Sequence, residues 1–124
     1  MVMERMIEDA MQAFKQTLED FCQTAPEGAL SMESARVITQ GIQQALACAG
    51  RAAFKTYLES KEVQADKVRA WGQPFGFKYV SEKRFETLWG LMPLSRRVYQ
   101  NGSDTQTHVP LDAAWGMEHE FMTI

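Results

Sequence analysis

The 124-residue sequence predicts an α+β chain: an N-terminal antiparallel helical hairpin followed by a small antiparallel β-sheet. Three observations predict it. Apolar residues recur at helical spacing through the first half, a proline-glycine break divides that half in two, and from Trp71 onward aromatics and glycines replace the helical period. Residues 1–62 are the expected hairpin and 63–124 a basic, β-rich segment, with the seam around Val63 to Trp71.

Ile7, Met11, Phe14, Leu18 and Phe21 advance by alternating steps of four and three, which stacks them along one helical face. This gives a first helix of about six turns. Thr24-Ala25-Pro26-Glu27-Gly28 ends it, because proline has no amide donor and disfavours helical geometry in the residue before it. Ser31 is the expected N-cap of a second helix, with Glu33 in its first turn and Leu30 as a hydrophobic staple. Ala35, Ile38, Ile42, Ala45, Ala49 and Ala52 then keep the helical rhythm up to the Tyr57/Leu58 pair, over about thirty positions. Gly41, Ala45, Ala47, Ala49 and Gly50 make this helix narrow, so the first helix can approach closely. In the hairpin Cys22 and Cys48 would lie roughly 20 Å apart, beyond disulfide reach. Two separate thiols are expected.

In the second half Phe85, Thr87 and Trp89 alternate with Arg84, Glu86 and Leu88, and Leu94, Arg96 and Val98 alternate with Ser95, Arg97 and Tyr99. Two strands joined near Gly90 follow, with Pro93 at an edge or a strand start. Asn101-Gly102 is a turn signal, Thr107 to Leu111 a possible third strand, and Asp112 the expected N-cap of a short turn ending at Gly116.

Apolar residues make up 45% and charged residues 23%, the balance of a folding chain rather than a disordered one. No apolar run approaches the roughly 20 residues that span a bilayer. Glu4, Glu8 and Asp9 stand where a secretory signal would be basic and then apolar, so a cytoplasmic location is expected. The inventory for catalysis is thin. Neither His108 nor His119 sits in a metal-binding pattern, and no phosphate-cradling glycine motif occurs. Glu118-His119-Glu120 lacks a framing motif, and Ser103-Asp104 near His108 reads as a hydrophilic loop. No catalytic residue, metal or cofactor is therefore expected.

The net charge of −3 conceals a partition. Met1–Asp66 holds 6 basic and 10 acidic residues, Lys67–Gln100 holds 7 and 2, and Asn101–Ile124 holds 0 and 4. Local charge decides where a polyanion can sit. Lys78, Lys83, Arg84, Arg96 and Arg97 are accordingly the candidate DNA contacts, although Arg96 and Arg97 are adjacent in a strand and must face opposite sides. The opposing reading is that strand aromatics are core and strand cations a solvated edge.

Arg84-Phe85-Glu86-Thr87-Leu88-Trp89-Gly90 followed by Arg96-Arg97-Val98-Tyr99 resembles the stretch preceding the catalytic domain in insertion-sequence transposases of the Kra and Lre types. Val109-Pro110-Leu111-Asp112 with Gly116 resembles the element that follows it there. The resemblance implies a transposase whose strand cleavage belongs to a downstream RNase H-like domain with three acidic residues. It assigns this chain a non-catalytic, DNA-binding and self-associating role. The paired cysteines that some relatives carry in the β-rich part are missing here. The rival from the residues alone is a protein–protein interaction module, a homodimer through Ile7, Met11, Phe14, Leu18 and Phe21 with the sheet as scaffold.

Overall fold

The computed structural model describes residues 1–102 and 106–116, so Ser103-Asp104 and Glu118-His119-Glu120 lie outside the described residues. Two compact units are present, Met1–Tyr57 and Leu58–Ile124. The α+β arrangement expected from the sequence is the one observed: two helices, then a four-stranded antiparallel sheet.

Helix α1 spans Val2–Cys22 and α2 spans Met32–Glu59. Gly28, at φ +104°, lies in the connection, where a side chain would be strained. Ser31 caps α2 as expected: its hydroxyl accepts from the Ser34 amide at 3.0 Å, while the Ser34 hydroxyl accepts from the Ser31 amide at 2.9 Å. This is the reciprocal logic of a capping box, with serine in the place usual for Glu or Gln. Neither thiol is in a disulfide; Cys22 is exposed and Cys48 half-buried.

The helices meet through small residues. Gly41 and Ala45 are buried, and the Phe21 ring lies over Gly41 so closely that a Cβ added there would stand 2.5 Å from it. Near the opposite end the Thr56 hydroxyl donates to the Asp9 carboxylate at 2.5 Å. Gly41→Leu is therefore expected to wedge the hairpin apart and cost about 1–3 kcal/mol, read as a fall in helical thermal stability. An unchanged melting curve would mean that Phe21 swings away freely.

The second unit is built on strands β1 (Lys67–Ala70), β2 (Gln73–Thr87), β3 (Gly90–Gln100) and β4 (Thr107–His108), in spatial order β1-β2-β3-β4, followed by helix α3 (Pro110–Ala114). The pairing Phe85↔Met92, Lys83↔Leu94, Ser81↔Arg96 and Tyr79↔Val98 sets one face, whose core is Phe85, Met92, Leu94 and Val98. Trp115, just after α3, meets Phe85 here at a ring separation of 5.2 Å. On the opposite face Tyr99 is buried, and its hydroxyl donates to the Ala65 carbonyl at 2.5 Å. A register shift between Phe77 and Tyr79 leaves Phe77 opposite Tyr99, their rings 5.9 Å apart. Tyr99→Phe removes that hydroxyl from a buried site, and a loss of about 1–2 kcal/mol in denaturant unfolding is expected.

The strands join near Gly90 as anticipated, through Leu88-Trp89. The Thr87 hydroxyl donates to the Gly90 carbonyl at 2.7 Å and accepts from the Trp89 amide at 3.0 Å, and Gly90 holds φ +104°. Three expectations need correction. The Val63–Trp71 seam contains a strand, β1, turned into β2 by Trp71-Gly72 at φ +50° and +72°. Left-handed geometry is costly for tryptophan, whose ring lies edge-on 5.7 Å from Phe75 and 5.2 Å from His108. The returning strand stops at His108, because Pro110 lacks an amide for the ladder and starts α3 instead. Asp112 is not an N-cap, a position held by Val109; it lies inside α3 and is buried.

Candidate interaction surfaces

The five cations singled out from the sequence are divided among different environments. Arg96 is 7% exposed, its Nε and Nη2 donating to the two Asp112 carboxylate oxygens at 3.1 and 3.0 Å. Its Nη1 donates to the Ser81 carbonyl at 3.0 Å. Lys83, half-buried on the same face, places Nζ 3.8 Å from Asp112 and 5.3 Å from the Phe85 ring centre. Both cations are thus committed to one internal carboxylate. On the other face Arg97 lies 3.9 Å from the Phe77 ring centre and donates through Nε to the Tyr99 hydroxyl and through Nη2 to the Ala65 carbonyl. Its backbone amide donates to the Glu62 carboxylate at 2.8 Å. Arg84 is exposed opposite Pro93, with Glu82 and Glu86 two residues away along the same strand face. Lys78 is exposed at the register shift, beside Gln100 and Asn101.

The fold therefore brings Lys83 and Arg96 together around Asp112 and separates them from Arg84 and Arg97. A single phosphate-binding surface does not assemble from these five. Sequence reasoning missed Asp112 as a counter-ion; the available signal was one carboxylate in the apolar run Val109-Pro110-Leu111. The other two cations of the basic stretch, Lys67 and Arg69, are exposed opposite Gly76 and Pro74 on one face of β1.

The two motif stretches singled out from the sequence do structural work in this unit. Phe85 and Tyr99 are core, Thr87 and Gly90 close the β2–β3 turn, and Arg96 of one motif binds Asp112 of the other. Among the described residues no three His, Cys, Asp or Glu side chains gather where they would hold a metal ion.

The second surface lies on the helical hairpin. The half-buried positions of α1 include Met6, Ala10, Ala13, Thr17 and Phe21, one residue out of step with Ile7, Met11, Phe14 and Leu18. One residue is about 100° around a helix, so these four residues of the predicted stripe border the seam with α2, whereas its fifth, Phe21, lies in the seam over Gly41. Ile7 is 60% and Met11 66% exposed, Phe14 and Leu18 are half-buried, and α1 has no fully buried residue. A groove of about 540 Å³ runs here between Met11 and Phe14 of α1 and Ala49 of α2, bordered by Glu8 and Lys15. Ile42 and Leu46 of α2 are likewise exposed, Leu46 at 57%. On helical geometry they extend the same face, since Ile42 and Leu46 follow the seam residues Gly41 and Ala45 by one as Ile7 and Met11 follow Met6 and Ala10, and antiparallel helices turn such positions to the same side.

No family model, curated protein or solved structure matches the chain. No helix among the described residues is long and apolar enough to cross a membrane.

Proposed function

We propose that this chain is a non-catalytic self-association module, pairing with a second copy through its helical hairpin, in the setting of an insertion-sequence transposase. The observation that carries the reading is the uncovered apolar face: Ile7 and Met11 on α1, with Ile42 and Leu46 on α2, flank a hairpin in which α1 buries no residue fully. A two-helix hairpin has too little interior to be stable on its own contacts, and a second hairpin laid on that face completes a four-helix bundle. An exposed apolar stripe rimmed by charge is what such an interface looks like before assembly. The transposase setting rests on the resemblance of the two motif stretches Arg84–Tyr99 and Val109–Gly116. Sedimentation equilibrium is expected to give twice the 14.1 kDa chain mass. A monomer across the micromolar range would sink the reading.

DNA contact is the second reading, and Lys67 and Arg69 favour it, because both are exposed on one face of β1 opposite the uncharged Gly76 and Pro74. Binding through them is expected to weaken with salt at a log–log slope of about −0.9 for each phosphate contacted, and K67A/R69A should flatten that slope by nearly two. Equal binding by the double variant would remove DNA from consideration at this face.

A further inference from the structure

We infer that the second copy docks with its α1 antiparallel to this one, about a two-fold axis passing between Met11 and Phe14. The inference rests on the self-association reading and specifies its geometry. Ile7, Met11, Phe14 and Leu18 are spaced symmetrically about the point between Met11 and Phe14. Reversing the helix about that point sets Ile7 against Leu18 of the second copy and Met11 against Phe14, two layers repeated by symmetry. Such mixed layers are those of an antiparallel coiled coil. The same four residues are the exposed or half-buried ones beside the hairpin seam.

Charge selects this direction over a parallel one. Glu8 and Lys15 border the groove on the same flank of α1, seven residues apart and about 20° from alignment. In the antiparallel pair Glu8 stands beside Lys15 of the second copy, and Lys15 beside its Glu8. Two symmetric ion pairs result. A parallel pair would instead set these positions against the other flank of the second helix, Glu8 near Met3 and Lys15 near Ala10, and would form no ion pair. Lys15 already lies 4.0 Å from Glu19 of its own helix, an exposed contact of little strength that leaves it available to a second carboxylate. Ala49 of α2 lines the same groove as Met11 and Phe14, and its small side chain keeps that helix thin where the second hairpin must approach.

The test is a charge exchange in the full chain, read as the dimer dissociation constant at low salt. E8K and K15E each turn both pairs repulsive and are expected to weaken the dimer about tenfold, while E8K/K15E restores it to within about threefold of the parent. An equimolar mixture of the two single variants should form the mixed dimer in preference to either self-pair. High salt should erase these differences, since the charges are at the rim. Single variants that dimerise as tightly as the parent would overturn the antiparallel α1 pairing, with α1 then packing on α2 of the second copy. A parent chain that never dimerises would instead overturn the self-association reading beneath it.

Discussion

Asp112→Asn is expected to destabilise the sheet unit by about 3–5 kcal/mol, the cost of leaving a buried guanidinium without its counter-charge. Arg96 is almost wholly enclosed and spends two of its donors on this one carboxylate, at 3.1 and 3.0 Å. Lys83 stands 3.8 Å from the same oxygen that Arg96 Nη2 reaches, so neutralising Asp112 removes a counter-charge that both cations share. An isolated domain has a total stability of about 5–15 kcal/mol, so the variant would lose a large part of it. Guanidinium unfolding followed by the fluorescence of Trp89 and Trp115 reads the change. Replacing the pair together, R96M/D112L, should recover most of the loss, because an apolar pair of similar volume leaves no charge uncompensated. If Asp112→Asn shifts the transition by less than about 1 kcal/mol, the pair is solvated and does not hold α3 to the sheet.

The other large effect belongs to the hairpin face. Ile7→Asp combined with Met11→Asp is expected to weaken the dimer by at least a hundredfold, since each chain loses two apolar side chains from the interface and each lost burial counts about 1.5–3 kcal/mol. In the isolated chain both positions are mostly exposed, so the monomer itself has little reason to unfold. That separation is what distinguishes the docking face from a fold-supporting seam. Sedimentation at several concentrations, with circular dichroism of the same samples, should show a monomer that keeps the β-sheet signal and much of its helix. A variant that remains dimeric would place the interface elsewhere.

The helices were legible because their signals are local. Ser31 ahead of the second apolar run, the break at Pro26 and Gly28, and the repeat of apolar residues act within a few positions of chain, and the observed α1 and α2 follow them. The alternation of Leu94, Arg96 and Val98 with Ser95, Arg97 and Tyr99 likewise announced β3 and put the two arginines on opposite faces. The strand at Lys67–Ala70 was not legible. Its hairpin turns on Trp71-Gly72, where tryptophan takes a left-handed conformation that its own preference opposes, and contacts with Phe75 and His108 accompany it.

What the sequence by itself determined is therefore the two long helices, the antiparallel strands on either side of Gly90 that follow them, and the presence of an apolar stripe on α1. Those depend on spacing and on residues close in the chain. Only the tertiary structure decided which side of α1 meets α2, placing Ile7 and Met11 beside the seam, because the small residues of α2 and the ring of Phe21 over Gly41 fix the rotation of one helix against the other. It also decided what each cation does. A run of seven basic residues looks like one surface in sequence, but strand alternation divides it between two faces, and Asp112, sixteen residues from Arg96, draws two of them inward. Charge in a sequence is a count, whereas charge in a fold depends on which opposite charge lies within a few ångströms and how much water stands between them.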